Sequence, residues 1–177
     1  MKILINCLVY GQRPIDIINQ NLNNACMAYD IRIIDKEGIA NALNYGIQDF
    51  QEYDAIGFLA NDIIEPSEWL LKKAYALRNY PSAGIVASSL ESEKTIIENE
   101  HIISNWLIDT NVIQNIGKFN ENYFPYGAID LEYCERTWLA GFKTYYTMNC
   151  MAQHIGSHAT GDEYGWNKSE LVAKYSE

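Results

Sequence analysis

The stretch Tyr53-Asp54-Ala55-Ile56-Gly57-Phe58-Leu59-Ala60-Asn61-Asp62-Ile63-Ile64-Glu65-Pro66-Ser67 decides how the rest of the chain is read. Residues 55–60 form a short, nearly unbroken apolar run, as in a strand buried on both faces. Such strands belong mostly to parallel sheets covered by helices. The run stops at Asn61-Asp62. In open α/β sheets ligands sit beyond the carboxyl ends of the strands, so a carboxylate placed there points toward a site. Asp62 is therefore the first candidate site residue. Asn and Asp are also common turn formers, and the plainer reading of the pair alone is a polar exit from the strand.

Around this stretch, 177 residues with 48% apolar composition suit one domain with a single substantial core. A formal net charge of −10 and a pI near 4.7 argue against a large nucleic-acid surface, because phosphate neutralisation drives such binding. A local phosphate site built on a metal ion or a few amides stays compatible with that charge. No apolar run reaches bilayer length, so no transmembrane segment is expected, and Met1-Lys2 leads straight into a strand pattern without a signal-peptide cleavage site. A cytoplasmic location is the default expectation. Cys7, Cys26, Cys134 and Cys150 form no C-x-x-C pair and read as reduced core thiols rather than a zinc knuckle.

Toward the N-terminus, residues 3–10 read as a first strand running into Gly11-Gln12-Arg13-Pro14. Pro14 fits the first turn of a helix, where its missing N–H costs nothing, and Ile15, Ile18, Leu22 and Ala25 repeat at helical spacing. Residues 31–34 read as a second strand ending in Asp35. Gly38 then opens a helix in which Ile39, Leu43, Ile47 and Phe50 share one face. With 55–60 these make three successive β units, and Asp35 and Asp62 lie on one sheet edge if the strands are parallel.

Toward the C-terminus, residues 67–77 predict a surface helix with Leu70, Ala74 and Leu77 inward and Lys72-Lys73 outward. Residues 83–87 predict another strand. From 88 to 105, short β-like pieces at 95–97 and 101–103 interrupt polar stretches. Asp109 is placed to cap a helix over 110–116 that ends at Gly117, and 119–126 is an aromatic-rich loop.

The second informative stretch runs from Tyr126 to Phe142. Asp130 is placed to cap a helix reaching about Ala140 and ending at Gly141. Asp130 and Glu132 suit the positive end of the helix dipole, and Arg136 stands four residues beyond Glu132, the spacing of an ion pair. An ordinary amphipathic helix with acidic first-turn residues accounts for this pattern as well. Residues 144–148 predict a last strand leading to Gln153-His154-Ile155-Gly156-Ser157-His158, where His154 and His158 suit a divalent ion, although single histidines are more often structural. Residues 1–158 are expected to form the main domain, and 159–177 a polar tail with three readings, a docked helix, a lid over the site, or a partly disordered segment.

The order of these elements resembles the GT-A glycosyltransferases, in particular the inverting family 2 enzymes that use nucleotide sugars. Four stretches carry the resemblance: Asp35 with Gly38-Ile-Ala-Asn-Ala-Leu-Asn-Tyr-Gly-Ile; Phe58-Leu-Ala-Asn-Asp-Ile-Ile-Glu-Pro with Trp69-Leu70; Ile116-Gly-Lys-Phe-Asn-Glu-Asn-Tyr-Phe; and Asp130-Leu-Glu-Tyr-Cys-Glu-Arg with Ala140-Gly141-Phe142. The resemblance implies a single Rossmann-like α/β domain with a mostly parallel central sheet flanked by helices. It further implies transfer of a hexosyl group from a UDP- or GDP-linked donor to a hydroxyl of a glycan, lipid or protein, with inversion. By the same resemblance Asp130 is the catalytic base, Asp62 and His154 hold Mn²⁺ or Mg²⁺, and Val9, Tyr10, Asp35, Asn41, Asn44, Asn61, Asp62, Glu132 and Arg136 are the donor-binding positions.

The chemistry agrees with those roles. A departing nucleoside diphosphate needs its charge neutralised, which a divalent ion held by one or two carboxylates and the phosphates supplies. The acceptor hydroxyl must lose a proton as it attacks, and a carboxylate across the sugar can take it. The chain departs from the family pattern in three places: Ala60 stands where an acid is frequent, Ile129 precedes the expected base where Glu is frequent, and the first loop reads Val9-Tyr10-Gly11-Gln12-Arg13. One protein carboxylate is then left for the metal. The short chain also leaves the acceptor side to be minimal or completed by a second subunit in a homo-oligomer. The rival reading is a catalytically weak or inactive GT-A module that binds nucleotide or sugar or serves in assembly. A nucleotidyltransferase-like protein ranks third, since Gly11-Gln12-Arg13 is a thin phosphate loop.

Overall fold

The computed structural model describes residues 1–9, 15–36, 38–89, 97–100, 102, 105–122 and 129–155. At its centre β1 (Ile3–Leu8) runs parallel to β2 (Asp30–Ile34) on one side and to β3 (Ala55–Ala60) on the other. The sheet continues through β7 (Trp106–Asp109), β5 (Ala83–Ser89), β8 (Lys143–Met151) and β6 (Ile97–Glu98) in the order β2-β1-β3-β7-β5-β8-β6. β7 is antiparallel to both neighbours and β6 is antiparallel to β8, so β2, β1, β3, β5 and β8 all point the same way. A separate two-stranded ribbon pairs β4 (Ile63–Ile64) with β9 (Gln153–His154).

Because successive strand residues face opposite sides, the apolar strands feed two cores. On one face Leu4, Ile56 and Phe58 pack against α2 (Ile39–Gly46), α4 (Thr110–Ile116) and α5 (Ile129–Leu139) through Leu43, Val112 and Tyr133. On the other, Ile3, Ile5 and Leu59 meet α1 (Asp16–Asn23) and α3 (Trp69–Asn79) through Ile18, Trp69 and Leu70. Burial on both faces is why β3 carries no polar alternation. Gly46 lets α2 close on the sheet, since a Cβ there would come within 2.6 Å of the Phe58 ring.

Most elements fall where the spacing predicts them. Asp109 accepts the Asn111 N–H as a helix cap, and Gly117 and Gly141 take the positive φ of 77° and 88° that ends α4 and α5. Two differences stand out. The strand at Trp106–Asp109 was not expected: four residues are too few to show a period, and the gap between β3 and β5 is what makes them a strand. Lys72 lies outward beside Glu68, but Lys73 is fully buried against the expectation. Lys73 shares a face with Leu70 and Leu77 at spacings of three and four residues, and a partner carboxylate inside overrides its preference for water. No described helix is long and apolar enough to cross a membrane.

Candidate functional site

The parallel strands bring their carboxyl ends to one edge. Leu8 pairs with Ile34 and with Ala60, so the exits toward Val9, Asp35 and Asn61 stand side by side. The Val9 N–H donates to the Ile34 carbonyl (3.0 Å), tying the first two exits together. Asn61 is buried, and the chain turns there into β4. β9 returns from the far half of the molecule to pair Ile63 with His154, and the Ile155 N–H donates to the Asp62 carbonyl (2.9 Å). That ribbon sets His154 Nε2 3.4 Å from Asp62 Oδ2, with side chains 27% and 20% exposed.

Beside the ribbon opens a pocket of about 240 Å³. Leu8, Phe58 and Ala60 contribute the sheet edge, Ile63 the ribbon, Ile39 and Leu43 the α2 wall, and Asn105 and Trp106 the start of β7. Ile129 and Asp130 close it from α5. Asp62 thus adjoins, through Ile63, the pocket that Asp130 enters from the other side. Asp130 is the second residue of α5, half-buried, and its Oδ1 accepts the Leu131 N–H (3.0 Å) at the positive end of the helix. Behind the pocket Phe119 stacks on Tyr133 at 3.9 Å between centroids and on Trp106 at 6.2 Å, a rigid aromatic floor. Burial pushes the Tyr133 hydroxyl upward and the Cys134 thiol to about 12, so neither ionises near neutrality.

The remaining expected donor-binding positions divide into three groups. Asp35 and Asn41 are exposed near the edge, where a ligand can reach them. Tyr10 and His158 lie outside the described residues, as does the tail from 159. Asn44 is occupied elsewhere: its Oδ1 accepts the Phe119 N–H (2.8 Å), and its Nδ2 donates to the Phe119 carbonyl (3.0 Å) and Glu121 Oε1 (2.7 Å). It pins the Gly117-Lys118-Phe119-Asn120-Glu121 loop to α2. Glu132 and Arg136 form a bidentate pair at 2.6 and 2.9 Å, and Arg136 also donates to the Ile116 and Lys118 carbonyls (2.6 and 2.9 Å). Arg136 thereby caps the end of α4, and its fork is directed there rather than to the pocket.

A divalent cation suits Asp62 and His154, a carboxylate oxygen and an imidazole nitrogen already adjacent and half-buried. Among the described residues no group of three such side chains gathers, so phosphate oxygens and water would complete the coordination. Sequence reasoning passed over Asn105, Glu65, Lys73 and Ser88, which lie directly under this edge. Glu65 Oε1 meets Lys73 Nζ (3.0 Å) and Asn105 Nδ2 (2.9 Å), while Asn105 Oδ1 accepts the Ala60 N–H (2.8 Å). The helical spacing of Lys73 was the one available signal.

Neither a protein-family model nor a curated protein sequence matches the chain. Solved structures do. The chain is similar to A197 from STIV, with 15% identity, a TM-score of 0.62, and 89% of this chain and 87% of that one covered. It is also similar to the catalytic domain of Drosophila β1,4-galactosyltransferase 7 in complex with xylobiose, at 16% identity and a TM-score of 0.62 over 88% and 71% of the two chains. The mannosyltransferase PcManGT from Pyrobaculum calidifontis, in complex with GDP-Man and Mn²⁺, superposes with a TM-score of 0.64 at 10% identity, covering 92% of this chain and 59% of its own. The fold is of the GT-A type. Identities this low carry the GT-A architecture alone. That architecture accounts for the gathering of strand exits, ribbon and α5 at one edge, since an open α/β sheet receives its ligand there.

Proposed function

We propose that this GT-A chain is a glycosyltransferase that moves a sugar from a UDP- or GDP-linked donor to a hydroxyl acceptor with inversion, assisted by Mn²⁺ or Mg²⁺. The observation that carries the reading is the ribbon holding Asp62 and His154 3.4 Å apart beside the pocket that Asp130 enters. Bound by those two side chains and the donor phosphates, the cation would neutralise the leaving diphosphate. Asp35, at the exit of β2, is assigned to the nucleotide base, with Val9 and Asn61 at the neighbouring strand exits, and Tyr10 and Asn41 are assigned to the donor as well. Asp130 takes the proton of the acceptor hydroxyl as it attacks, and a single displacement with one base inverts the anomeric centre. Eight of the ten residues that line the pocket are apolar, so a bound sugar would displace water from it.

The rival is a GT-A module that binds nucleotide or sugar without turnover. Ala60 favours it, because the neighbouring position offers no second carboxylate and the cation rests on Asp62 and His154. Thermal shift with MnCl₂ and UDP or GDP tests the reading. A joint increase in Tm, larger than either additive gives alone and absent in Asp62→Ala, is expected. An undiminished joint shift in that variant removes Asp62 from the metal site. A joint shift with no release of UDP or GDP from any sugar donor, with or without added acceptor, leaves the rival.

A further inference from the structure

Beneath the Asp62 turn lies a polar cluster that the chemistry above does not use. Glu65 and Lys73 form an ion pair with Oε1 and Nζ 3.0 Å apart and both side chains 0% exposed. Taking two charges out of water is costly, and apolar residues of similar volume commonly serve a core as well or better. Stability alone is a poor reason for the pair. Its partners suggest another. One Glu65 oxygen receives Lys73 and Asn105, the other receives the Ser88 hydroxyl, and Lys73 donates again to the Asn105 carbonyl (2.8 Å).

These contacts reach both halves of the Asp62–His154 pair. Toward Asp62, Asn105 Oδ1 holds the N–H of Ala60 (2.8 Å). The Glu65 N–H donates to Asn21 Oδ1 (2.8 Å), and Asn21 Nδ2 donates to the carbonyl of Ile63 (2.7 Å). The backbone is thus gripped on either side of Asp62. Toward His154, Ser88 Oγ meets Cys150 Sγ (3.2 Å), and the neighbouring Ser89 carbonyl accepts the Ala152 N–H (2.8 Å) two residues before His154. The Glu65 carboxylate joins one tie of each branch, Asn105 toward Ala60 and Ser88 toward Cys150, while the Asn21 and Ser89 ties are made by backbone groups.

We propose that Glu65 is a positioning residue: clamped by Lys73, Asn105 and Ser88, it sets the Asp62 turn and the His154 strand at the separation one divalent cation requires. The inference rests on the proposed metal site and adds the device that fixes its geometry. Its consequence is that the ion pair is dispensable for folding and not for metal binding. Outer partners that orient ligands typically alter metal affinity by about 10–100-fold when removed.

The test compares wild type with the double variant Glu65→Leu/Lys73→Met, which replaces both charges by apolar groups of similar size. Each is titrated with MnCl₂ in the presence of UDP or GDP, read by Tm and by the Mn²⁺ electron paramagnetic resonance spectrum. The double variant should still fold cooperatively without ligand, at a Tm lowered because the Asn105 amide and the Ser88 hydroxyl lose Glu65, require about 10–100-fold more Mn²⁺ for the joint shift, and give an altered spectrum. A folded double variant with wild-type Mn²⁺ affinity and spectrum overturns the proposal while leaving the metal site intact. Should that variant fail to fold, Ser88→Ala carries the test, since it keeps the ion pair and cuts the branch toward His154. Weakened Mn²⁺ binding with an altered spectrum then supports the proposal, and unchanged values overturn it. A wild type without any joint response overturns the proposed function itself, and this inference with it.

Discussion

At the scale of single residues, the two carboxylates assigned to chemistry differ in setting. Asp62 adjoins an imidazole, whereas Asp130 stands in the first turn of α5 beside an apolar pocket. Their substitutions should separate accordingly. Asp130→Asn keeps the shape and removes the proton acceptor, so it should leave the Mn²⁺ and nucleotide shift intact while lowering kcat by about 10²–10⁴-fold. Steady-state rates with an active acceptor decide this, and turnover close to wild type would disqualify Asp130 as the base. Asp130 was legible in the sequence through its family-like surroundings and as an acid at a helix start, although it sits inside the first turn of α5 rather than at the expected cap before it. Lys73 was not, because a lysine's cost of burial depends on a partner eight residues away along the chain and on Asn105 farther still.

At the scale of elements, α2, the loop at 117–121 and α5 are tied by side chains that a family resemblance would send to the donor. Asn44 satisfies both the N–H and the carbonyl of Phe119, and those groups are buried. Asn44→Ala should therefore destabilise the fold by about 1–3 kcal/mol, the cost of leaving a buried polar group unpaired. Urea denaturation measures this, and nucleotide affinity should stay at the wild-type value under conditions where the variant is folded. A loss of affinity without a loss of stability would return Asn44 to the donor site. The ribbon of β4 and β9 shows the opposite case. Neither two-residue strand has a period that a sequence could display, yet their pairing joins Asp62 to His154.

At the scale of the whole molecule, the two cores seal titratable groups that respond to alkali. Burial pushes the Cys7 thiol to about 11 and the Cys134 thiol to about 12 from an ordinary 9.0, and it also raises Cys150. Above pH 9 the unfolded chain releases protons that the folded chain retains, so stability falls as pH rises from about 9 through the folded values. Denaturant midpoints between pH 8 and pH 11 should decline on that side, and a flat profile would contradict the burial of these thiols. In the native state only exposed Cys26 should react rapidly with a thiol reagent, the other three reacting after denaturation. Apolar runs, caps and the glycines ending α4 and α5 are local properties, and they determined from the sequence alone the α/β class, the strand at 55–60, and helices at 67–77 and from Asp130 to about 140, which the structure has at 69–79 and 129–139. Only the tertiary structure decided that β7 inserts antiparallel, that Asp62 meets His154, and that Glu65 and Lys73 are sealed beneath them. Period and capping arise from neighbours along the chain, whereas these pairings depend on segments brought together from far apart.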